Sequence, residues 1–207
     1  MYRIEDIGRA GGLISVRITR QDEDGFLCLV AKEFFEPLGV TAGDELEEDA
    51  LDALLHAAAL TGAVTKALDV LSRSDVSRRA LTEKLRYKYK IDAESAEFAA
   101  DYVTKRGYLD EASASCRAAA RCVGQKKWGR RRVAAELISK GYPRDVAVEA
   151  ARSVPDGEYR AALDELIRRR YPPTEDPAER RRAVSALIRL GHDPEDVKEA
   201  LGENISE

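Results

Sequence analysis

Cysteine is scarce: the 207 residues hold three, Cys28, Cys116 and Cys122, an odd number with no C-x-x-C pair. That spacing suggests neither a disulfide framework nor a zinc site, and suits a reducing compartment. Aromatic residues are only 6% of the chain, with one Trp and one Met, against 35% charged residues. Such a balance favours surface-rich helical packing over a deep aromatic pocket. G-x-x-x-x-G-K, G-x-G-x-x-G and G-x-S-x-G are all missing, so nucleotide hydrolysis and acyl transfer lack their usual scaffolds. The two histidines, His56 and His192, are far apart and belong to no ligand-spaced set. Neither a metal nor another cofactor is therefore expected, and a non-catalytic protein is the first expectation. There is no apolar signal core at the start and no apolar run of the roughly 20 residues that span a bilayer. The expectation is a soluble, cytoplasmic protein that does not enter a membrane.

What is abundant is charge, and it is unevenly spread. The net charge of −4 conceals −8 in residues 1 to 60, +8 in residues 66 to 142 and −4 beyond. A basic middle can meet nucleic acid or another polyanion, while the acidic ends discourage wrapping bare DNA along the whole length.

The first 40 residues differ from the rest. Ile14, Val16 and Ile18 alternate with polar residues, a turn signal stands at Asp24-Gly25, and Phe26 to Val30 form a short apolar run. This predicts a β-hairpin over 13–31. Glu45, Glu47, Glu48 and Asp49 then open a helical pattern with Leu51, Leu54, Leu55 and Ala58 as its stripe, an acidic helix over 45–60.

Beyond residue 61 a weak internal repeat appears in LRYKYKIDAES (85–95), LISKGYPRDVA (137–147) and LIRLGHDPEDV (187–197). Leu85, Leu137 and Leu187 are about 50 residues apart, a period that suits three short helices per unit. Gly141 and Gly191 stand where a helix end takes a left-handed residue, with Tyr142 or His192 folding back on the last turn. Asp193 before Pro194, and Asp92 before Glu94, read as helix N-caps. The predicted organisation is an N-terminal extension 1–44, the acidic linking helix 45–60, and three-helix units over 61–109, 110–154 and 155–207. Asp156-Gly157 and Pro172-Pro173 read as turns.

KRGYLDE (105–111), KKWGRRRVAAELISKGY (126–142) and LIRLGHDPEDVKEAL (187–201), in this order and spacing, resemble the successive repeat signatures of the RecX family, modulators of the RecA recombinase. The extension with GVTAGDELEEDALDALL resembles that of many members, so the resemblance covers nearly the whole chain. It implies a mainly α fold of three tandem three-helix repeats in an elongated, curved array. It also implies a regulator that lies on the RecA filament and lowers its ATPase, recombinase and co-protease activities in DNA repair and the SOS response; separately, a monomer is expected.

Two basic clusters are candidate contacts for the filament or for single-stranded DNA. Lys126, Lys127, Trp128, Arg130, Arg131 and Arg132 put five cations and an indole at a predicted helix start, where cations gain nothing from the macrodipole. A solvated turn with Trp128 packed between units is the alternative. Lys84, Arg86, Lys88 and Lys90 interleave with Tyr87 and Tyr89 at a helix end, a place that favours cations anyway. The runs 168–170 and 180–182 are balanced by nearby acids and read as salt-bridged helix faces. A competing function is direct DNA binding by helix-turn-helix-like units, although DVAVEAARSV and DPEDVKEALGE are neutral to acidic where a groove-reading helix is basic.

Overall fold

The computed structural model describes residues 1–20 and 23–202, so the last five residues of the expected third unit lie outside the described ones. The protein is mainly helical with a small N-terminal antiparallel sheet. Two compact units emerge: Met1–Arg73 with Leu81–Tyr108, and Ser74–Ala80 with the chain from Leu109 on.

The first unit opens with a sheet of four strands rather than a two-stranded hairpin. Strands β1 (Tyr2–Ala10), β2 (Leu13–Arg20), β3 (Glu23–Val30) and β4 (Glu45–Leu46) lie in the order β3-β2-β1-β4. β1 escapes the period-two test because its register shifts between Ile4 and Asp6, so its core-facing residues are Tyr2, Ile4 and Ile7, the last two being three apart. Gly11 and Gly12, both at positive φ, make the tight β1–β2 turn. The expected turn at Asp24-Gly25 instead lies within β3. Glycine is needed there for close approach, since a Cβ on Gly25 would stand 2.7 Å from the Ile18 carbonyl oxygen. The inner face of the sheet (Ile4, Val16, Ile18, Cys28 and Val30) packs on Phe35 of the short helix α1 (Lys32–Phe35) and on Leu51, Leu54 and Ala57 of α2 (Glu48–Arg73).

Helix α2 corrects two expected boundaries. Glu45 pairs with Arg3 in β4, so the helix starts at Glu48, and it runs unbroken through the expected division at 60/61. Thr61, Val64, Ala67 and Val70 simply continue the buried stripe, while Gly62 is exposed and interrupts nothing. At 26 residues α2 is long and apolar enough to cross a bilayer by composition, but its apolar stripe is buried in this unit. It packs against α4 (Ala93–Lys105), whose Ala96, Ala99 and Ala100 let the two helices approach closely. Between them, α3 (Arg78–Glu83) passes into a π-helical turn over Lys84–Lys88.

The second unit is built from α5 (Glu111–Lys126), α6 (Arg130–Ser139), α7 (Arg144–Ser153), α8 (Asp156–Arg170), α9 (Pro177–Arg189) and α10 (Pro194–Ala200). Asp156-Gly157, expected as a turn, is the first turn of α8 with Pro155 at its N-cap. Helix α8 serves two cores. Tyr159 and Ala162 join Val123, Val133, Leu137 and Ala150 of α5–α7, while Leu163, Leu166 and Ile167 pack with Leu187 and Val197 of α9 and α10. The helix-end turns form as expected: Gly141 and Gly191 have φ of 86° and 88°. Tyr142 N donates to the Leu137 carbonyl at 3.2 Å and His192 N to that of Leu187 at 3.3 Å. Asp92 and Asp193 cap α4 and α10.

Candidate functional site

The run 126–132 links the end of α5 to the start of α6, and a backbone contact fixes it. Gly129 N donates to the Leu190 carbonyl at 2.9 Å and Arg131 N to that of Gly191 at 3.3 Å. A Cβ on Gly129 would lie 2.2 Å from the Gly191 carbonyl carbon, and one on Gly191 would lie 2.4 Å from Arg132 N. The α9–α10 turn therefore sits directly on the N-terminus of α6, and its carbonyls satisfy amides that the helix cannot. The turn after α6 docks in a similar way. Gly141 fits against Ser77, whose hydroxyl donates to the Lys140 carbonyl at 2.8 Å.

Around the glycine contact every cation of the run has an internal partner. Lys126 pairs with Glu136 at 3.7 Å, Lys127 with Glu165 at 2.7 Å and Arg131 with Asp193 at 3.6 Å, while Arg130 pairs with Asp156. Arg132 donates to the Arg189 carbonyl at 3.2 Å, and its guanidinium lies 4.6 Å from the centre of the Trp128 ring. Lys126 is 4.1 Å from that ring, which is half-buried against the α5–α7 core. Arg130 and Arg131 thus meet acids at the starts of α8 and α10, and Arg132 meets the end of α9. These residues brace one unit together.

The stretch 84–90 is arranged differently. Its π-helical turn closes with Tyr89 N donating to the Lys84 carbonyl at 3.2 Å, and Lys90 takes the left-handed conformation at φ 60°. Ile91 N then reaches back six residues to Leu85, where Tyr142 and His192 reach back five. The turn therefore carries one residue more than its counterparts, the usual origin of a π-bulge. Among the described residues, none of Lys84, Arg86, Lys88 and Lys90 forms an ion pair. Two of them lie near rings: Arg86 is 5.4 Å from the centre of Tyr87 and Lys88 is 5.4 Å from that of Tyr89. Lys66 of α2, which no local sequence pattern singles out, stands over Tyr89 at 4.8 Å. Tyr87 is 67% exposed, the most exposed ring among the large apolar side chains.

A cleft of about 420 Å³ in the second unit is lined by Arg130, Arg131, Arg160, Asp156, Asp193 and Asp196. With both signs present in equal number, it offers no net charge to a ligand. His192 lines it while remaining 3% exposed, and burial pulls the imidazole pKa below its ordinary value. Its Nε2–H donates to the Lys127 carbonyl at 2.9 Å, which places a proton on Nε2. Burial likewise pushes the Tyr159 hydroxyl up to about 12, and that hydroxyl donates to the Ala151 carbonyl at 2.7 Å. Among the described residues no cluster of His, Cys, Asp and Glu is composed to hold a metal ion, and His56 lies exposed on α2.

No family model matches the chain. It is 32% identical to the regulatory protein RecX of Stenotrophomonas maltophilia (strain R551-3) over 139 residues, 66% of this chain and 83% of that protein. It is 26% identical to the regulatory protein RecX of Clostridioides difficile (strain 630) over 156 residues, 75% of this chain and 72% of that one. A crystal structure of regulatory protein RecX superposes with a TM-score of 0.79 over 99% of this chain and 100% of its own, at 16% identity. The crystal structure of RecX from Lactobacillus salivarius gives 0.60 over 70% of this chain and 96% of its own, at 14% identity.

Proposed function

The chain belongs to the RecX family of regulatory proteins, and from that premise we propose that it regulates RecA recombinase by binding the assembled nucleoprotein filament and lowering its activity. Filament ATP hydrolysis, strand exchange and co-protease action all fall when it binds. The regulator acts in the cytoplasm, as a monomer, by occupancy rather than by chemistry of its own. The observation that carries this reading is the 32% identity to a regulatory protein RecX of which the chain covers 83%. The basic turn at 84–90, whose cations form no ion pair among the described residues, supports it, since a nucleoprotein filament presents phosphates and carboxylates that such cations meet well. We further propose that α3 to α10, with the second half of α2, are three tandem three-helix units, and that the repeated docking of a glycine turn on a helix start is their shared joint.

Direct DNA regulation by helix-turn-helix units has less support, because the helices that would read a groove, α7 and α10, are neutral to acidic. The deciding measurement is ATP hydrolysis by RecA on single-stranded DNA. Addition of this protein well below one molecule per RecA is expected to lower the rate. No change up to equimolar amounts would overturn the reading.

A further inference from the structure

We propose that the π-helical turn at 84–90 is a direct contact for single-stranded nucleic acid, with Lys84, Arg86, Lys88 and Lys90 on phosphates and Tyr87 stacked on a base. This deepens the filament reading and rests on it for the setting in which a strand is met. The two basic clusters differ in where their charge goes. In the run 126–132 the cations spend it on Glu136, Glu165, Asp156 and Asp193 or on a carbonyl and an indole. In the turn 84–90 four cations in seven residues have no carboxylate partner among the described residues. The nearest acid in sequence after the turn, Asp92, is directed to Ser95 N at 2.8 Å as the cap of α4. Four like charges within seven residues repel one another, and an anion relieves that repulsion.

The rings choose among anions. An acidic peptide would neutralise the lysines and leave Tyr87 idle at 67% exposure. Duplex DNA offers phosphates but keeps its bases stacked within the helix. A single strand offers both phosphates and free base faces, and stacking on an exposed ring is tolerant of sequence. Tyr89, flanked by Lys66 and Lys88, has less free face and steadies the cations instead. The extra residue of the π turn widens the backbone and spreads the side chains of 84–90 around the helix end, over a rise of about 9 Å. Three or four phosphate contacts would make log affinity fall with log salt at a slope of roughly −2 to −3.

The test is fluorescence anisotropy of a labelled oligothymidylate with the full chain, titrated with salt and without RecA. The combined variant Lys84→Gln, Arg86→Gln, Lys88→Gln and Lys90→Gln is expected to bind at least 10-fold more weakly, with a slope flattened towards zero. Tyr87→Ala is expected to cost 5-fold or more with the slope unchanged, and Tyr87→Phe to restore binding. Circular dichroism establishes that the variants are folded. No binding by the parent protein, or unchanged affinity and slope in the combined variant, overturns the proposal. Loss of binding in the lysine and arginine variant but none in Tyr87→Ala overturns the stacking half and with it the choice of a single strand. Inhibition of RecA without oligothymidylate binding sinks this proposal alone, whereas binding without any effect on RecA sinks the filament reading alone.

Discussion

At the scale of single residues, the Gly129–Gly191 contact makes the sharpest demand on the sequence. A methyl group on Gly129 would stand 2.2 Å from backbone atoms, which cannot move aside as a flexible side chain can. Gly129→Ala or Gly191→Ala is expected to cost about 3 kcal/mol or more, read from the denaturant midpoint. Gly62, exposed on α2 with nothing within 4 Å of where a Cβ would stand, is the control. Gly62→Ala is expected to raise stability by about 0.5–1 kcal/mol, because glycine is the poorer helix former. His192 adds a dependence on pH. Its folded pKa lies below the unfolded value because burial disfavours the imidazolium. Above the unfolded pKa, about 6.5, both states hold a neutral ring and its contribution is complete. As pH falls below that value the unfolded chain takes up a proton first, so stability is lost with acid. The unfolding midpoint should therefore drop between pH 7.5 and pH 5, and His192→Gln, which keeps a donor for the Lys127 carbonyl, should flatten that slope. Asp75 and Asp92, whose pKa values are lowered by hydrogen bonds from Arg117 and Ser95, lose stability in a separate window, below about pH 4.

At the scale of elements, the π turn and the brace at α6 show what a pattern in the sequence can and cannot convey. Capped helix starts and left-handed helix ends were legible because Asp92, Asp193, Gly141 and Gly191 announce local geometry. The stripes were legible too: Leu81, Leu85, Val133, Leu137 and Leu187 are all fully buried. Strand β1 was not, since its bulge breaks the alternation on which strand recognition depends. The internal partners of Arg130, Arg131 and Arg132 were also hidden, because Asp156, Asp193 and Arg189 are 26 or more residues away in sequence. Local composition could mark the cations at 126–132 and 84–90 alike; only tertiary contacts separate those that are spent from those that are free. Deleting Lys88 tests whether the π turn is an insertion serving binding. The shortened turn would reach back five residues, as Tyr142 and His192 do. Helix content and the thermal midpoint should stay close to those of the parent, while oligothymidylate binding weakens several-fold. A collapse of the fold would mean that the π turn is part of the unit's packing.

At the scale of the whole molecule, a regulator with several linked contacts should discriminate between an assembled filament and its parts. Co-sedimentation is expected to show affinity for RecA on single-stranded DNA at least 10-fold above that for free RecA, because linked contacts act at high effective concentration. Equal affinities would overturn the part of the proposal that places binding on the assembled filament. Truncation at Pro155 is a poor substitute for that comparison. It strips Tyr159 and Ala162 from the α5–α7 core and Asp156 from Arg130, so lost binding would be confounded with lost stability. The outermost strand of the sheet bears on how any of these measurements is carried out. From Phe26 to Val30, β3 presents five apolar residues in a row without a lysine or proline to discourage pairing, and Leu27 and Leu29 are 54% and 41% exposed. At the bench this strand is expected to be where the protein sticks to itself, all the more so when salt is raised to silence the basic turn. A Leu27→Lys gatekeeper should keep concentrated stocks clear and make the salt titrations report on nucleic acid rather than on aggregates.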